Sequence, residues 1–452
     1  MMGSKRVVIC GGGIGAVEAL LALREHIKVG VQIHLVAPNS DLVYQPLAVA
    51  APFDLAETEV MSLSEIAADQ GAKLHVDTLR SVDSENRCIR LGSEAVLPYD
   101  ALVVAVGARR RDWLDGALHF GGAADVSGFR SLLAQLENGV GARVSFVNPV
   151  DVHWTLPLYE LALLTASRMA DRDVLGVEIT LITPEPEPLE VFGPAAGQLL
   201  RDLLSDRGIA LKVGSAVKEL RAGRLSLESG ATVEVDHVIT LPRLEGPRLE
   251  GLPCDAAGFI VVDERSRVIG VPDVYGAGDG TSIKVKQGGI AAQQADVAAS
   301  AIAAQMGAPA TPSPVRPVLR GMLLTGIAPM YMRAKIAEPE PGSFATAMTP
   351  LWWPPGKVAG LYLAPYLAAR NTFSRDHALH DRPVAARKAG PLEDAHDEAR
   401  KLALVFAERD AGDGHFRSAL EWLEVIERLD GLLPPGYLHK RTDWQTRAGL
   451  VL

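Results

Sequence analysis

Cysteine is scarce in this chain of 452 residues, and the few cysteines present are not paired. Cys10, Cys88 and Cys254 lie far apart, and none of them has C-x-x-C or C-x4-C spacing. A disulfide framework and a thiolate metal site are therefore not expected, and we predict no metal centre. Cys10 falls in a strand-like apolar run, where we expect it to be a small buried residue.

The sequence also lacks an excess of basic residues and any long apolar run. Its net charge of −10 argues against a nucleic-acid partner. Its apolar runs are shorter than the roughly 18 residues that a membrane span needs, and its first residues lack the order typical of a signal peptide. We therefore expect a cytoplasmic protein. Its length and its hydrophobic content of 48% are typical of a soluble protein with two or three domains.

The first strong motif lies near the start of the chain. Residues 7–17 read VVICGGGIGAV and lead into the helix-forming stretch EALLALREHI. Gly11, Gly13 and Ala16 fit the pattern G-x-G-x-x-G/A, with Gly15 between them. In this pattern the glycines make a tight turn and let the backbone approach a diphosphate at the helix start. The order of strand, motif and helix predicts a dinucleotide site.

The next strand ends differently from the usual pattern. Most dinucleotide folds place an acidic residue there to bind a ribose hydroxyl, but this chain has Ala37, followed by Pro38. Asn39, Asp41 or a backbone group would have to serve instead. The loop that follows reads LVYQPLAVAAPF.

A second α/β unit begins near Asp112 and repeats the β-α-β plan. Its turn differs, because residues 148–157 read NPVDVHWTLP and contain no glycine. Side chains as large as His153 and Trp154 should block the approach of a diphosphate. Two interpretations stay open: the turn has lost or altered its ligand, or it is only a connector.

The second strong motif is DVYGAGDGT, residues 273–281, which is followed by a helix of small residues. Asp279, after Gly278, can accept a hydrogen bond from a ribityl hydroxyl. The helix start near Gly288 can place N–H groups beside a flavin's pyrimidine oxygen. Lys286, just before Gln287, would add a fixed positive charge that favours an anionic reduced flavin. A solvated surface lysine is the alternative.

Together these motifs resemble those of flavoproteins with two dinucleotide-binding domains, especially type II NADH dehydrogenases and sulfide:quinone oxidoreductases. The resemblance rests on GGGIGA at 11–16, PLAVAAPF at 46–53, AVGA at 105–108 and YGAGDGT at 275–281. It implies an α/β fold with two Rossmann-like domains, in which an NAD(P)-type domain interrupts the FAD domain. The predicted parts are 1–111 and 246–310 for FAD, 112–245 for the inserted domain, 311–390 for an interface segment and 391–452 for a helical hairpin.

The resemblance also implies site residues. FAD would contact Gly11, Gly13, Gly15, Ala16, Pro38, Tyr44, Gln45, Pro46, Ala105, Gly107, Gly278, Asp279, Lys286, Gln287 and Gly288. His153, Trp154 and Lys286 would take part in catalysis, with His153 and Trp154 on the donor side; a structural histidine is the alternative for His153. Three departures stand against a direct transfer of the family's chemistry: the inserted turn lacks glycines, no cysteine pair is present, and no cysteine lies near His153.

The remaining third of the chain has two parts. Residues 311–390 hold ten Lys or Arg against four acids, and Trp352, Trp353, Tyr362 and Tyr366 lie within 351–370. Aromatic rings beside cations suit a membrane surface, although a dimer interface or a lid over the flavin fits too. From residue 391 the pattern predicts a helical hairpin broken at AGDG. Its unpartnered face would dock on the body, on a second subunit or on another protein.

These observations support three functional hypotheses. The first is an FAD-dependent oxidoreductase that passes electrons from a small-molecule donor to a quinone or another small acceptor, at the inner face of the membrane. The second is a non-catalytic flavin-binding redox sensor or assembly module. The third keeps NAD(P)H as donor through an atypical loop.

Overall fold

The computed structural model describes residues 5–139, 141–336, 343–352, 354–370, 403–404, 406–412, 414–430 and 435–448. The chain forms two units, Met1–Asp381 and Arg382–Leu452.

The first parallel sheet of the larger unit is built from two separate stretches of chain. Its strand order is β20-β9-β1-β2-β5, and every neighbouring pair is parallel. The strands are β1 (Lys5–Cys10), β2 (Val31–Ala37), β5 (Lys73–Val76), β9 (Ala101–Val104) and β20 (Val274–Gly276). Because both faces of the sheet are covered, its central strands are apolar throughout rather than alternating.

Helices cover one face of this sheet and a small antiparallel sheet covers the other. The helices α1 (Ile14–His26) and α6 (Gly288–Gln305) pack on one side, and α1 also packs directly on α6. The opposite face packs on the strands β6 (Leu79–Asp83), β7 (Cys88–Leu91) and β8 (Val96–Pro98). The elements between β2 and β5 are β3 (Asp41–Val43), β4 (Val60–Ser62), α2 (Leu63–Asp69) and short 3-10 turns at Gln45–Leu47 and Ala51–Phe53.

A second parallel sheet forms the inserted domain, with strand order β11-β18-β12-β13-β14. Its strands are β11 (Leu118–His119), β12 (Ala142–Val147), β13 (Val177–Ile182), β14 (Ala210–Lys212) and β18 (His237–Thr240). Its helices are α3 (Val126–Asn138), α4 (Leu156–Asp171) and α5 (Pro194–Asp206), with 3-10 turns at Ala123–Asp125 and Glu190–Phe192. A small antiparallel sheet completes it with β15 (Val217–Arg221), β16 (Arg224–Leu227) and β17 (Thr232–Glu234).

The chain leaves and re-enters the first domain along a two-stranded ribbon. β10 (Arg109–Arg111) pairs antiparallel with β19 (Arg243–Glu245). Two parallel sheets, one interrupted by the other, confirm the predicted α/β class.

A third, antiparallel sheet follows α6. It contains β21 (Val318–Leu323), β22 (Met330–Lys335) and β23 (Phe344–Ala347), and a short helix α7 (Leu363–Ala369) comes after it. In the part of the chain that the structure describes, no helix combines the length and apolar character needed to cross a bilayer.

The smaller unit is helical. Residues 406–412, α8 (Phe416–Asp430) and α9 (Pro435–Arg447) surround a small core that includes Ala407, Leu423 and Trp444. The predicted break at AGDG lies between the first two helices. The third helix, α9, is absent from the prediction. The first residues of the predicted hairpin, 391–402, lie outside the described residues.

Candidate functional site

A cleft of about 840 Å³ opens where the strands of the first sheet end. The starts of α1 and α6 line it on one side, and the turn before α4 and the β10–β19 ribbon line it on the other. The carboxyl ends of parallel strands are where open α/β sheets bind their ligands. The volume is in the range of a cofactor site.

The glycines of the first motif divide into two groups. Gly11 has φ +140°, and a Cβ there would lie 2.2 Å from the carbonyl oxygen of Ala105, so Gly11 makes the turn and the packing. Gly13 precedes α1, where no side chain caps the helix, and a Cβ there would meet no protein atom within 4 Å. Gly13 and Gly15 line the cleft, whereas Gly11 and Ala16 are buried behind it. Open space beside an uncapped helix start fits a bound diphosphate.

Asp279 lines the cleft with its carboxylate unengaged. Burial raises the pKa of Asp279, and Lys286 counteracts part of this rise. Its carboxylate makes no hydrogen bond to any residue in the described ranges. A carboxylate of this kind fits a ribityl hydroxyl donor. The adjacent Gly278 has φ +83°, a left-handed conformation that favours glycine.

Lys286 is held by the loop that precedes it. Its Nζ donates to the carbonyl oxygen of Thr281 at 2.5 Å and lies 3.7 Å from the centre of the Phe259 ring. Burial lowers the pKa of Lys286 to about 8. The ammonium therefore carries most of its positive charge at pH 7 and loses it as the pH rises through about 8, and its effect on a flavin stays a prediction. The interpretation as a solvated surface lysine is wrong, because the ammonium is partly buried at the cleft.

Two glutamines hold the second motif against α6. The Gln287 side chain accepts from the N–H of Ile290 at 3.0 Å and so caps α6, while Gly288 lines the cleft. Gln294, which the sequence analysis missed, accepts from the N–H of Gly278 at 2.9 Å and donates to Thr281 at 3.2 Å. The Gln287 side chain thus holds the helix start, and Gln294 holds the turn.

The predicted residues after β2 are divided between the cleft and other places. Gln45 and Pro46 line the cleft, and Gln45 accepts from the N–H of Ala123 in the inserted domain at 2.9 Å. Tyr44 is 2% exposed and packs in the core instead, and Pro38 is exposed away from the cleft lining. The structure therefore does not bring Tyr44 or Pro38 to the site. Tyr44 lies just before the 3-10 turn Gln45–Leu47, whose first two residues face the cleft.

The end of β2 has Ala37 in place of the usual acidic residue, and Asn39 or Asp41 was predicted to serve instead. Asn39 and Asp41 are exposed and do not line the cleft. Ala105 and Gly107, which follow β9, do line the cleft. Both were predicted to contact the cofactor.

The turn before α4 supplies the opposite wall. His153 is exposed at the cleft, and Trp154 packs edge-on against Phe192 with 6.0 Å between ring centres. Asp151 lies 3.9 Å from Arg243 of the ribbon. His153 and Trp154 thus line the cleft, and a donor beside them stays a prediction.

The cleft wall contains a buried ion pair that was not predicted from the sequence. Glu160 of α4 is 0% exposed, and its Oε1 accepts from Lys357 Nζ and from the N–H of Leu324 at 2.8 Å. Lys357 also donates to the carbonyl oxygen of Met322 at 2.9 Å. Burial raises the pKa of Glu160, whereas Lys357 lowers it. The one available signal was a lone charge in the apolar stretch LPLYELALLT.

The segment 351–370 is packed into the larger unit rather than free. Trp352 is buried and donates to the carbonyl oxygen of Gly356, and Tyr366 donates to Asp69 at 2.8 Å. Lys357 and Val358 line the cleft. Because Trp352 and Lys357 are buried, these two side chains do not contact a membrane surface. Membrane contact through other residues of 351–370 and a lid over the flavin both stay predictions. Trp353 lies outside the described residues.

The cysteines take no part in the cleft. Cys10 is buried in β1, burial raises the pKa of its thiol, and neither Cys88 nor Cys254 lines the cleft. Over the described ranges, no cluster of His, Cys, Asp and Glu side chains could hold a metal ion.

Known proteins resemble this chain across most of the larger unit. NADH dehydrogenase-like protein Rv1812c of Mycobacterium tuberculosis is 27% identical over 228 residues, which cover 48% of this chain and 57% of that protein. Type II NADH:quinone oxidoreductase NdhA of the same organism is 24% identical over 321 residues, which cover 61% of this chain and 66% of that protein. The chain thus spans about 57% of the length of the first of these curated relatives.

A solved structure matches the fold more fully. The sulfide:quinone oxidoreductase of Aquifex aeolicus superposes with a TM-score of 0.70 at 20% identity, covering 83% of this chain and 92% of that one. The family model of the pyridine nucleotide-disulphide oxidoreductases matches residues 5–138 and 162–305. This match confirms the predicted family and the FAD cofactor. The chain belongs to the pyridine nucleotide-disulphide oxidoreductase family.

Proposed function

We propose that this chain is an FAD-dependent oxidoreductase whose flavin passes electrons to a quinone. The proposal rests on the residues that line the cleft. On one side are the glycine cradle, meaning Gly13 and the open space beside it, and the Asp279 carboxylate, which makes no hydrogen bond among the described residues. The buried Glu160–Lys357 pair also lines the cleft. When bound, FAD supplies two-electron redox chemistry, and the protein supplies position and electrostatics. The quinone is the acceptor named for the relatives reported above.

Different residues of the cleft would bind different parts of the cofactor. Gly13 and the start of α1 would hold the diphosphate. Asp279 would accept from the ribityl chain, and Lys286 would place a positive charge near the ring. No cysteine lines the cleft within the described residues, so electrons would pass to the acceptor without a disulfide relay.

The ion pair would supply a proton, which lies on Lys357 Nζ while both groups are charged and on Glu160 in the neutral form of the pair. Reduction of a quinone to a quinol takes two electrons and two protons, so the site needs a proton donor. Glu160 Oε2 is buried without a hydrogen-bond partner among the described residues, and burial raises the pKa of this carboxyl group. A perturbed carboxyl in a cleft wall suits a general acid. Lys357 would hold Glu160 in place.

His153 and Trp154 would face the donor. His153 is exposed at the mouth of the cleft, where it can meet a small molecule. If His153 transfers a proton, His153→Ala slows reduction of the flavin by the physiological donor. Unchanged turnover and unchanged flavin reoxidation in this variant would remove His153 from the mechanism.

A quinone acceptor also requires access to a lipid surface. Phe344, Met348 and Leu361 are exposed apolar side chains in the stretch that follows β22. We propose that they, rather than the buried Trp352, contact a membrane. Met348→Glu with Leu361→Glu should reduce co-flotation with vesicles of phosphatidylglycerol and phosphatidylcholine. Equal flotation of wild type and double variant would contradict this contact.

The reaction is tested by single-turnover reoxidation. The holoprotein is reduced with dithionite under argon and mixed with a short-chain quinone while the oxidised flavin band is followed. We expect wild type to reoxidise, and Glu160→Gln to slow this step about 100-fold, the scale of a lost general acid. Glu178→Gln, on an exposed site of β13, is the matched control and should behave like wild type. A reduced flavin that quinone does not reoxidise would overturn the proposal.

A further inference from the structure

The inserted domain keeps the plan of a nucleotide-binding unit, from β12 through the turn 148–155 and α4 to β13. In such a unit the diphosphate binds at the turn and the helix start. The ribose hydroxyls bind an acidic residue at the end of the second strand. In this chain the first place is the turn 148–155 with the start of α4, and the second is the end of β13.

The helix start is unsuited to a diphosphate. The turn 148–157 contains no glycine. Pro157 occupies the first turn of α4 and so contributes no N–H group. The match to the family model also stops on both sides of residues 139–161, which include this turn.

An acidic residue stands near the end of β13, but it is already engaged. Glu185 accepts hydrogen bonds from Tyr159 at 2.8 Å, Thr183 at 2.8 Å, Thr155 at 3.1 Å and Asn148 at 3.4 Å. The four donors are 2% exposed or less. Burial raises the pKa of Glu185, and its hydrogen bonds with Tyr159, Thr183 and Thr155 lower it.

This cluster bridges the two halves of the nucleotide site. Asn148 and Thr155 belong to the turn, Tyr159 to α4, and Thr183 and Glu185 to the end of β13. Asn148, Tyr159 and Thr183 donate to Oε2 of Glu185, and Thr155 donates to Oε1. A ribose that took over these bonds would leave buried polar groups unpaired, which is unfavourable. The protein's own side chains therefore use most of the acceptor capacity that a ribose would need.

We infer that Glu185 and its four donors close the inserted domain to pyridine nucleotides, so that the electron donor is a small molecule without an adenosine diphosphate group. This inference rests on the proposed function and specifies its donor side. Such a donor reaches the cleft past His153 and Trp154, which stand at the mouth. The protein thus differs in its donor from the NADH-named relatives that it resembles.

Nucleotide binding is measured first on the holoprotein. ADP-ribose is titrated by calorimetry, and NADH and NADPH are mixed under argon while the oxidised flavin band is followed. We expect no saturable binding of ADP-ribose below about 1 mM, a very weak affinity, and no rapid loss of the flavin band. A type II NADH:quinone oxidoreductase run in parallel shows that the assay detects binding. Saturable binding with rapid bleaching by NADH would overturn the inference.

A variant separates the two roles of Glu185. If Glu185 serves only the cluster, Glu185→Ala lowers the melting temperature, and ADP-ribose shifts neither wild type nor variant. If Glu185 binds a ribose, ADP-ribose raises the melting temperature of wild type by mass action, and Glu185→Ala abolishes that rise, which contradicts the inference. Reoxidation by quinone does not depend on the donor, so its failure would mark the failure of the proposed function alone.

Discussion

Lys357 and Glu160 form a buried ion pair that joins the segment after the third sheet to the inserted domain's helix α4. Both side chains line the flavin cleft. The pair therefore links the position of the cleft wall to the packing of two distant parts of the chain.

Breaking this pair on one side should destabilise the larger unit strongly. Lys357→Met leaves the Glu160 carboxylate buried without its cation, and such losses cost about 3–5 kcal/mol. The measurement is urea unfolding followed by circular dichroism. The double variant Glu160→Gln, Lys357→Met removes both charges and should recover most of the loss. A single variant as stable as wild type would contradict the pairing.

Two glycines of the first motif should respond differently to alanine. At Gly11 a Cβ would collide with the Ala105 carbonyl oxygen, so Gly11→Ala should disrupt folding. At Gly13 a Cβ meets no protein atom, and the backbone there, at φ −97°, suits alanine. Gly13→Ala should therefore fold and melt like the wild-type apoprotein but hold less FAD, measured as flavin absorbance per protein. Full FAD content in Gly13→Ala would show that the diphosphate lies elsewhere.

A pair of buried carboxyl groups should make stability depend on pH. Glu18 of α1 accepts from the N–H groups of Tyr362 and Leu363 at the start of α7, at 2.8 and 2.7 Å. Asp296 of α6 shares a hydrogen bond with Glu18, and burial together with Glu18 raises the pKa of Asp296 to about 9. In the folded state Asp296 therefore keeps a proton that the unfolded chain releases near pH 4.

This difference in proton binding sets the direction in which the free energy of unfolding changes with pH. Between about pH 4 and pH 9 the folded state binds the extra proton, so the free energy of unfolding falls as pH rises, by at most about 1.4 kcal/mol per pH unit. Asp296→Asn keeps a donor for Glu18 without a titrating proton and should flatten this slope. Urea unfolding at several pH values measures it. An equal slope in wild type and Asp296→Asn would refute the shared proton.

Lys286 should tune the flavin. Its ammonium is charged below its pKa of about 8, and a nearby cation favours an anionic reduced flavin. Lys286→Gln should lower the reduction potential at pH 7 by on the order of 30 mV, about 1.4 kcal/mol for a two-electron couple. The difference from wild type should shrink above pH 9, where Lys286 is neutral. A difference that stays constant with pH would point to packing instead of charge.

The glycine motifs could be predicted from the sequence because their geometry is local. A strand, a turn that needs glycine and a helix start follow one another within about a dozen residues, as they do at Gly11 and Gly278. The Glu160–Lys357 pair could not be predicted, since its partners lie 197 residues apart and meet only in the fold. Tyr44 was predicted to contact the cofactor because of its neighbours in sequence, but its side chain packs in the core.

Side-chain direction also explains the errors at the aromatic segment and at Lys286. Trp352 suits a membrane surface by composition, yet it is buried and packs edge-on against Tyr331. For Lys286, composition cannot reveal the partial burial that lowers its pKa to about 8.

In the proposed reaction, electrons pass from the reduced flavin to quinone without a cysteine relay. The most direct measurement uses a variant in which Cys10, Cys88 and Cys254 are all replaced by alanine, reduced under argon and mixed with a short-chain quinone. We expect that FAD stays bound and that the oxidised flavin band returns at the wild-type rate. A variant that keeps its FAD but is no longer reoxidised by quinone would contradict it.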